Sequence, residues 1–243
     1  MKMESIYVSL SERALLVHQA VQNRNEKRTI ILLAGPPGSG KSTIADEVVL
    51  RLNENSEKTG VVASVLPMDG FHLYRKELDQ LPNRDEAYKR RGAAWTFNAD
   101  KLLALVKQLH HSKIYCTQTI LAPGFNHLEK DPMEEAIAIT PETNLLLVEG
   151  LWLLYQKEPW SSISDYADDT WFVDVDPTLA RDRVARRHIK SGIEKTWDAA
   201  VKRAEDNDLR NGDDVRQNLV QVAVRVKSVE LGSDSPSISL SHA

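Results

Sequence analysis

The chain has 243 residues, 42% hydrophobic and 27% charged, with a formal net charge of -4. That length suits one large α/β domain or two small ones with a sizeable core, and the acidic balance argues against a general nucleic-acid binder, whose surface is basic. The single cysteine, Cys116, excludes an internal disulfide and fits a reducing compartment. No apolar run spans a bilayer and the first residues lack a secretory leader, so the expected location is cytoplasmic, with the nucleus also open. Composition leaves monomer and homo-oligomer equally open.

Residues 1–28 predict an amphipathic helix and a polar linker ahead of the core. Ser9 and Glu12 have the spacing of a capping box, and Leu10, Ala14, Val17 and Val21 recur on one face. Thr29-Ile30-Ile31-Leu32-Leu33-Ala34 predicts a buried strand. It runs into Gly35-Pro36-Pro37-Gly38-Ser39-Gly40-Lys41-Ser42, a G-x-x-x-x-G-K-[ST] match, and Thr43 begins a stretch of helical periodicity reaching about Asn55. Strand, glycine-rich turn and helix in this order make a phosphate loop. Glycines let backbone N–H groups approach phosphate oxygens, and the helix start points its unpaired N–H groups at the anion. Lys41 supplies charge to the β- and γ-phosphates, and the Ser42 hydroxyl is a candidate Mg²⁺ ligand.

A second buried strand is predicted over residues 61–66, followed by Pro67-Met68-Asp69-Gly70-Phe71-His72. A carboxylate just beyond a strand's carboxyl end faces the ligand crevice of an open α/β sheet. Residues 73–92 are polar, without an apolar face, and predict a loop or short helices over the site. A helix is expected from Ala99, capped by Asn98. Residues 114–120 and 136–140 are the expected arms of a hairpin, with 121–127 as a turn-rich loop between them. The apolar run Leu145-Leu146-Leu147-Val148 ends in Glu149-Gly150, a Walker-B-like strand whose acid holds Mg²⁺ directly or through water. Residues 170–176 form another expected strand, with Pro177 opening a helix that carries Arg181, Arg183, Arg186, Arg187, His188 and Lys190. A charged helix over 197–209 is expected to stop at the Asn207-Asp208-Leu209-Arg210-Asn211-Gly212 stretch. Residues 220–229 predict a last strand, and 231–243 a disordered tail.

A phosphate loop alone signifies triphosphate binding and leaves switch, motor, transporter subunit and kinase open. Asp69, an acid on a different strand from Glu149, favours phosphoryl transfer, because an attacking hydroxyl needs an acceptor for its proton apart from the metal ligands. The arginine cluster fits a lid that neutralises charge on the transferred group.

Taken as an ordered set, the phosphate loop, Asp69-Gly70-Phe71-His72, Arg91-Gly92-Ala93, Pro123-Gly124-Phe125 with His127 and Asp131-Pro132, Val148-Glu149-Gly150 and the arginine-rich segment resemble the phosphoribulokinase/uridine kinase family. The pantothenate-kinase-like and fructose-kinase-like branch and fungal uridine-kinase-like proteins are nearest. The resemblance implies an α/β P-loop kinase fold over residues 29–230: a parallel five-stranded sheet, helices on both faces and a lid segment. It implies ATP and Mg²⁺ and a small-molecule hydroxyl substrate such as a nucleoside, while the charge and the lack of a long apolar run lead us to expect neither nucleic-acid nor membrane partners. It casts Lys41, Asp69, Arg183 and Arg187 as catalytic, and residues 35–43 as the nucleotide cradle. It casts Ser42 and Glu149 as metal ligands, and Phe71, His72, Arg91, Phe125 and His127 as the substrate pocket. Residues 207–212 are expected near the adenine. Phe125 stands where uridine kinases usually carry Tyr, which removes a hydroxyl donor; a sugar or pantothenate-type alcohol is the alternative substrate, and a regulatory ATPase without an acceptor the alternative function.

Overall fold

The computed structural model describes residues 2–230 and 238–240. In chain order the elements are α1 (Lys2–Gln22), β1 (Thr29–Ala34), α2 (Lys41–Glu54), α3 (Ser56–Thr59), β2 (Ala63–Pro67), α4 (Arg75–Leu78), α5 (Arg84–Lys89) and α6 (Ala99–His111). They continue with β3 (Ile120–Asn126), β4 (Asp131–Ile139), β5 (Leu145–Gly150), β6 (Asp169–Val175), α7 (Pro177–Lys190), α8 (Trp197–Arg203), α9 (Arg210–Gln217), β7 (Val224–Ser228) and β8 (Ile238–Leu240).

The main sheet has the order β2-β5-β1-β6-β7-β8. The first five strands pair in parallel, and β8 adds antiparallel to β7 at the edge. β1 and β5 are buried along their whole length, as expected for central parallel strands covered on both faces. Side chains alternate between two cores. Ile30, Leu32, Leu146, Val148 and Phe172 face a cluster with α6 residues Leu102, Val106 and Leu109. Ile31, Leu33, Leu145, Leu147, Trp171 and Val173 face the other, with Ile6, Leu10 and Ala14 of α1 and Ile44 and Val48 of α2.

Register places the chemistry. Glu149 pairs with Leu33 on one side and Pro67 on the other. The acid at the end of β5 therefore lies between the start of the phosphate loop and the turn carrying Asp69. Such a carboxyl edge, where the chain order of neighbouring strands reverses, is where open α/β sheets bind ligands.

Several elements differ from the sequence expectation. α1 begins at Lys2, so Ser9 lies inside the helix and is not its cap. β2 starts at Ala63, and the amides of Val61 and Val62 before it donate to the side chains of Thr59 and Asn144. The expected loop over 121–127 is largely strand: β3 runs through Pro123-Gly124, with a register shift between Ala122 and Gly124. A bulge tolerates a residue without an N–H. The helix expected to end at 207–212 continues through a π turn, Ala204–Leu209, into α9. Of the expected disordered tail, residues 231–237 and 241–243 lie outside the described residues, while Ile238–Leu240 pairs with β7. Among the described residues, no helix is long and apolar enough to cross a membrane.

Candidate active site at the carboxyl edge of the sheet

The phosphate loop leaves β1 at Ala34 and enters α2 at Lys41. Gly40 is the N-cap of α2, at φ +82, and no side chain caps the helix. The first N–H groups of the helix are thereby left for an anion. Gly38 has φ +78, and a Cβ there would stand 2.6 Å from the carbonyl oxygen of Ala180. A side chain at this position would meet α7 as well as a disfavoured backbone conformation.

The Ser42 hydroxyl donates to Oε1 of Glu149 at 3.1 Å. Glu149 is 7% exposed. Its Oε2 is buried without a hydrogen-bond partner, a costly state for a carboxylate that is not coordinating something. Burial pushes the Glu149 carboxyl above its ordinary range; Lys41 opposes that shift and the Asp69 carboxylate adds to it. Lys41 and Asp69 thus act electrostatically on one buried acid. Asp69 itself is exposed on a single 3₁₀ turn, Met68–Phe71.

Around Asp69 the structure gathers residues from three segments. His72 Nδ1 lies 2.8 Å from the carbonyl oxygen of Asp69. Its ring packs 3.9 Å from Phe97 and 5.0 Å from Phe125, centroid to centroid, and Phe125 lies 5.3 Å from His127. Burial lowers the His72 pKa, with the Asp69 carboxylate opposing. The Arg91 guanidinium sits 5.8 Å over Phe125. Its Nη2 donates to the Leu73 carbonyl at 3.0 Å and to Asp131 at 3.2 Å, while its Nε is buried without a partner.

Phe71 is a correction. It is 1% exposed and belongs to the core cluster of Leu102 and Trp152, so it supports the wall from behind and offers no surface to a ligand. Arg183 is another. It lies on α7 as a tie: Nη1 donates to the Gly38 carbonyl at 3.1 Å and to Ser228 Oγ at 2.9 Å, and Nη2 to the Val229 carbonyl at 2.9 Å. Its donors hold the phosphate loop to the end of β7 and are not free to close over a ligand. Arg187 keeps a side chain 61% exposed, 3.7 Å from Asp208. A cavity of about 230 Å³ next to Lys41, Ser42 and Thr43 is walled by Arg183, Val184 and Arg187. Residues 207–212 do not line it. They pack against Arg90 and Arg91 and, at Gly212, against Pro36.

Three partners escaped the sequence reading. Asp131 is 40 positions from the Arg91 it holds. Trp152 donates from Nε1 to the Gly92 carbonyl at 2.9 Å, fixing the turn after Arg91. Arg90 binds the π turn and Asn211. No local periodicity marks such pairs; only Asp131, inside the hairpin motif, carried a signal. A cavity of about 610 Å³ lies between Phe97, Tyr155, Trp160 and Asn211, and no phosphate-loop residue lines it. Charged and hydroxyl groups concentrate instead at the phosphate loop, where Ser42 meets Glu149 and Lys41 acts on that acid.

Comparison with known proteins bears on the family and the fold. The model of the phosphoribulokinase/uridine kinase family matches residues 30–211, and the chain belongs to that family. A Schizosaccharomyces pombe protein named "Putative uridine kinase C227.14" is 36% identical over 229 residues, covering 93% of this chain and 92% of its own. The ATP-dependent kinase YFH7 of Saccharomyces cerevisiae is 31% identical over 234 residues; the match takes in 84% of this chain but only 66% of YFH7. The crystal structure of YFH7, described as "a putative P-loop containing kinase with a circular permutation", superposes with a TM-score of 0.81 at 25% identity, covering 92% of this chain and 99% of that one. A "putative fructose transport system kinase" from Silicibacter sp. TM1040 superposes with a TM-score of 0.71 at 26% identity, over 87% of this chain and 98% of that one. The chain is an ATP-dependent phosphotransferase with the P-loop kinase fold.

Proposed function

We propose that the enzyme transfers the γ-phosphoryl group of ATP to a hydroxyl of a small metabolite, with a nucleoside such as uridine as the first candidate. The observation that carries this reading is the convergence at one sheet edge of the loop, the Ser42–Glu149 pair with its orphaned Oε2, and Asp69. Lys41 and the loop amides hold the β- and γ-phosphates. Ser42 and Glu149 fit a divalent cation: a hydroxyl and a carboxylate meet at hydrogen-bond distance, and one carboxylate oxygen has no other partner. Among the described residues no cluster of three or more His, Cys, Asp or Glu side chains makes a metal cage, so Mg²⁺ would take its remaining ligands from phosphate and water, its usual habit. When bound, it neutralises charge on the phosphate oxygens.

Asp69 takes the proton of the acceptor hydroxyl as that oxygen bonds to the γ-phosphorus and the bond to the bridging oxygen of ADP breaks. His72, Arg91, Phe125 and His127 orient the acceptor, and Arg187, an exposed arginine of α7 that lines the loop cavity, faces the charge on the transferred group. The uridine reading rests on the family and on the name of the S. pombe relative. Phe125 favours a sugar or pantothenate-type alcohol as the second candidate, because its ring offers no hydroxyl to a base or ribose. The test is ADP release with a panel of nucleosides, sugars and vitamins. One compound should stimulate it at least about tenfold; Asp69→Asn should lower the acceptor-dependent rate about 10²–10⁴-fold with ATP affinity kept. A flat panel, or full turnover in Asp69→Asn, would overturn the assignment.

A further inference from the structure

The helix carrying Asn207 and Asn211 touches both halves of the site, although the phosphoryl transfer described above uses none of its side chains. Between α8 and α9 it passes through the π turn Ala204–Leu209, a form rare in helices and frequent at functional positions. Arg90, from the segment that precedes the acceptor pocket, caps this turn. Its Nη1 donates to the carbonyls of Asp206 at 3.1 Å and Asn207 at 3.4 Å, and its Nη2 to Oδ1 of Asn211 at 2.9 Å. Asn207 returns a bond from Nδ2 to the Arg91 carbonyl at 3.1 Å. Both asparagines are buried, at 8% and 3% exposure.

The next residue, Gly212, lies on the phosphate loop. A Cβ there would stand 3.0 Å from the Cβ of Pro36, so helix and loop meet with no side chain to absorb a displacement. The end of α9 is fixed in turn: Arg216 donates from Nε to Asp174 at 2.8 Å and from Nη2 to the Val175 carbonyl at 2.9 Å, at the end of β6. The helix is held at both ends and presses on the loop between them.

We propose that Arg90 is a positioning residue that couples the acceptor-side segment to the phosphate loop through this helix. Ordering of residues 84–92 sets the placement of Pro36 and Pro37, and by reciprocity a nucleotide on the loop steadies the segment that frames the acceptor. The planar guanidinium fork makes this possible, because it meets two main-chain carbonyls and an amide oxygen at fixed angles, which an ammonium cannot do. The coupling rests on the chain being an ATP-dependent kinase but holds for any acceptor.

The test uses the full chain without acceptor: ATP affinity by calorimetry, and hydrogen exchange of the backbone amides. In Arg90→Ala, exchange should quicken together at residues 204–211 and 38–40, and the ATP dissociation constant should rise about five- to tenfold, although no hydrogen bond of Arg90 reaches the loop. Arg90→Lys should move both readouts the same way by less. Faster exchange confined to residues 84–92, with ATP affinity unchanged, would overturn the proposal. If Arg90→Ala does not fold, Arg90→Lys and Gly212→Ala carry the test. The latter pushes on Pro36 and should alter exchange at 84–92; no change there overturns the coupling. ATP binding by the unaltered chain is measured first. Its absence would count against the kinase reading, and the exchange pattern would still decide the coupling.

Discussion

The phosphate loop takes its groups from consecutive residues, 35–42, whereas the surroundings of Asp69 collect His72, Arg91, Phe125 and His127 from segments far apart in the chain. The first is made mostly of main chain. Gly40 leaves the start of α2 uncapped, and the loop's shape follows from where a Cβ is forbidden, as at Gly38. The second is made of side chains held by other side chains, such as Arg91 by Asp131. A main-chain site is set by backbone geometry and offers any phosphate the same amides. A side-chain site can be re-cut by one substitution without disturbing the fold. That contrast explains why the donor is readable here and the acceptor is not.

Three changes would break or sharpen the comparison. The largest effect is expected from Gly38→Ala, which forces a side chain into a left-handed conformation against the Ala180 carbonyl. ATP affinity should fall roughly 10²-fold, with about 1–3 kcal/mol of stability lost, whatever acceptor is present. Calorimetric titration showing affinity within a factor of about three of the unaltered chain would mean that the loop's main chain is not what binds the nucleotide.

Asp131→Asn acts on the other half. Asp131 accepts from Arg91 and also from the amide of Arg75 at 2.8 Å. The ion pair is partly exposed, at 16% and 27% for the two side chains, so its loss should cost about 1 kcal/mol of stability or less. Freeing Arg91 should raise the acceptor KM about tenfold while kcat and ATP affinity stay nearly constant. Steady-state kinetics with the acceptor found by the panel decides it; a matching fall in kcat would place Arg91 in the transition state and not in binding alone.

The smallest effect belongs to α1, outside both halves. His18 is buried, 2.8 Å from the Thr29 hydroxyl through Nδ1, and its Nε2 has no partner. Burial lowers its pKa, with Asp168 opposing. The unfolded chain therefore takes up the proton first, near the ordinary value of about 6.5. This contribution to stability is fully present above that pH and is lost as pH falls below it towards the folded value. The melting midpoint should drop by a few degrees between about pH 7.5 and 5.5, and by less in His18→Gln. Identical pH profiles for the two proteins would refute a buried neutral His18. Neither ATP affinity nor acceptor KM should follow the His18 substitution.

Local patterns carried much of the fold. The apolar run of β1, the Asn98 cap of α6 and Pro177 behind Asp176 at the start of α7 are encoded within a few residues of where they act. Where the local signal misled, a distant contact outweighed it. Pro123-Gly124 looks like a turn, yet a bulge keeps it in β3 opposite β4. Gly212 looks like a helix end, yet the helix runs through it, and the residue packs there against Pro36 of the phosphate loop. Arg183 and Arg187 share a helix face and a charge, but only tertiary structure commits one to the Gly38 carbonyl and leaves the other exposed.

By itself the sequence determined the α/β class, the phosphate-binding loop and the acid that ends β5, because each depends on residues adjacent in the chain. Tertiary structure alone decided that Glu149 keeps an unpartnered oxygen beside Ser42, that Phe71 belongs to the core, and that Arg90 joins its own segment to the helix over the loop. These depend on register between strands and on contacts between residues more than a hundred positions apart, such as Ser42 and Glu149, which no local pattern of side chains specifies.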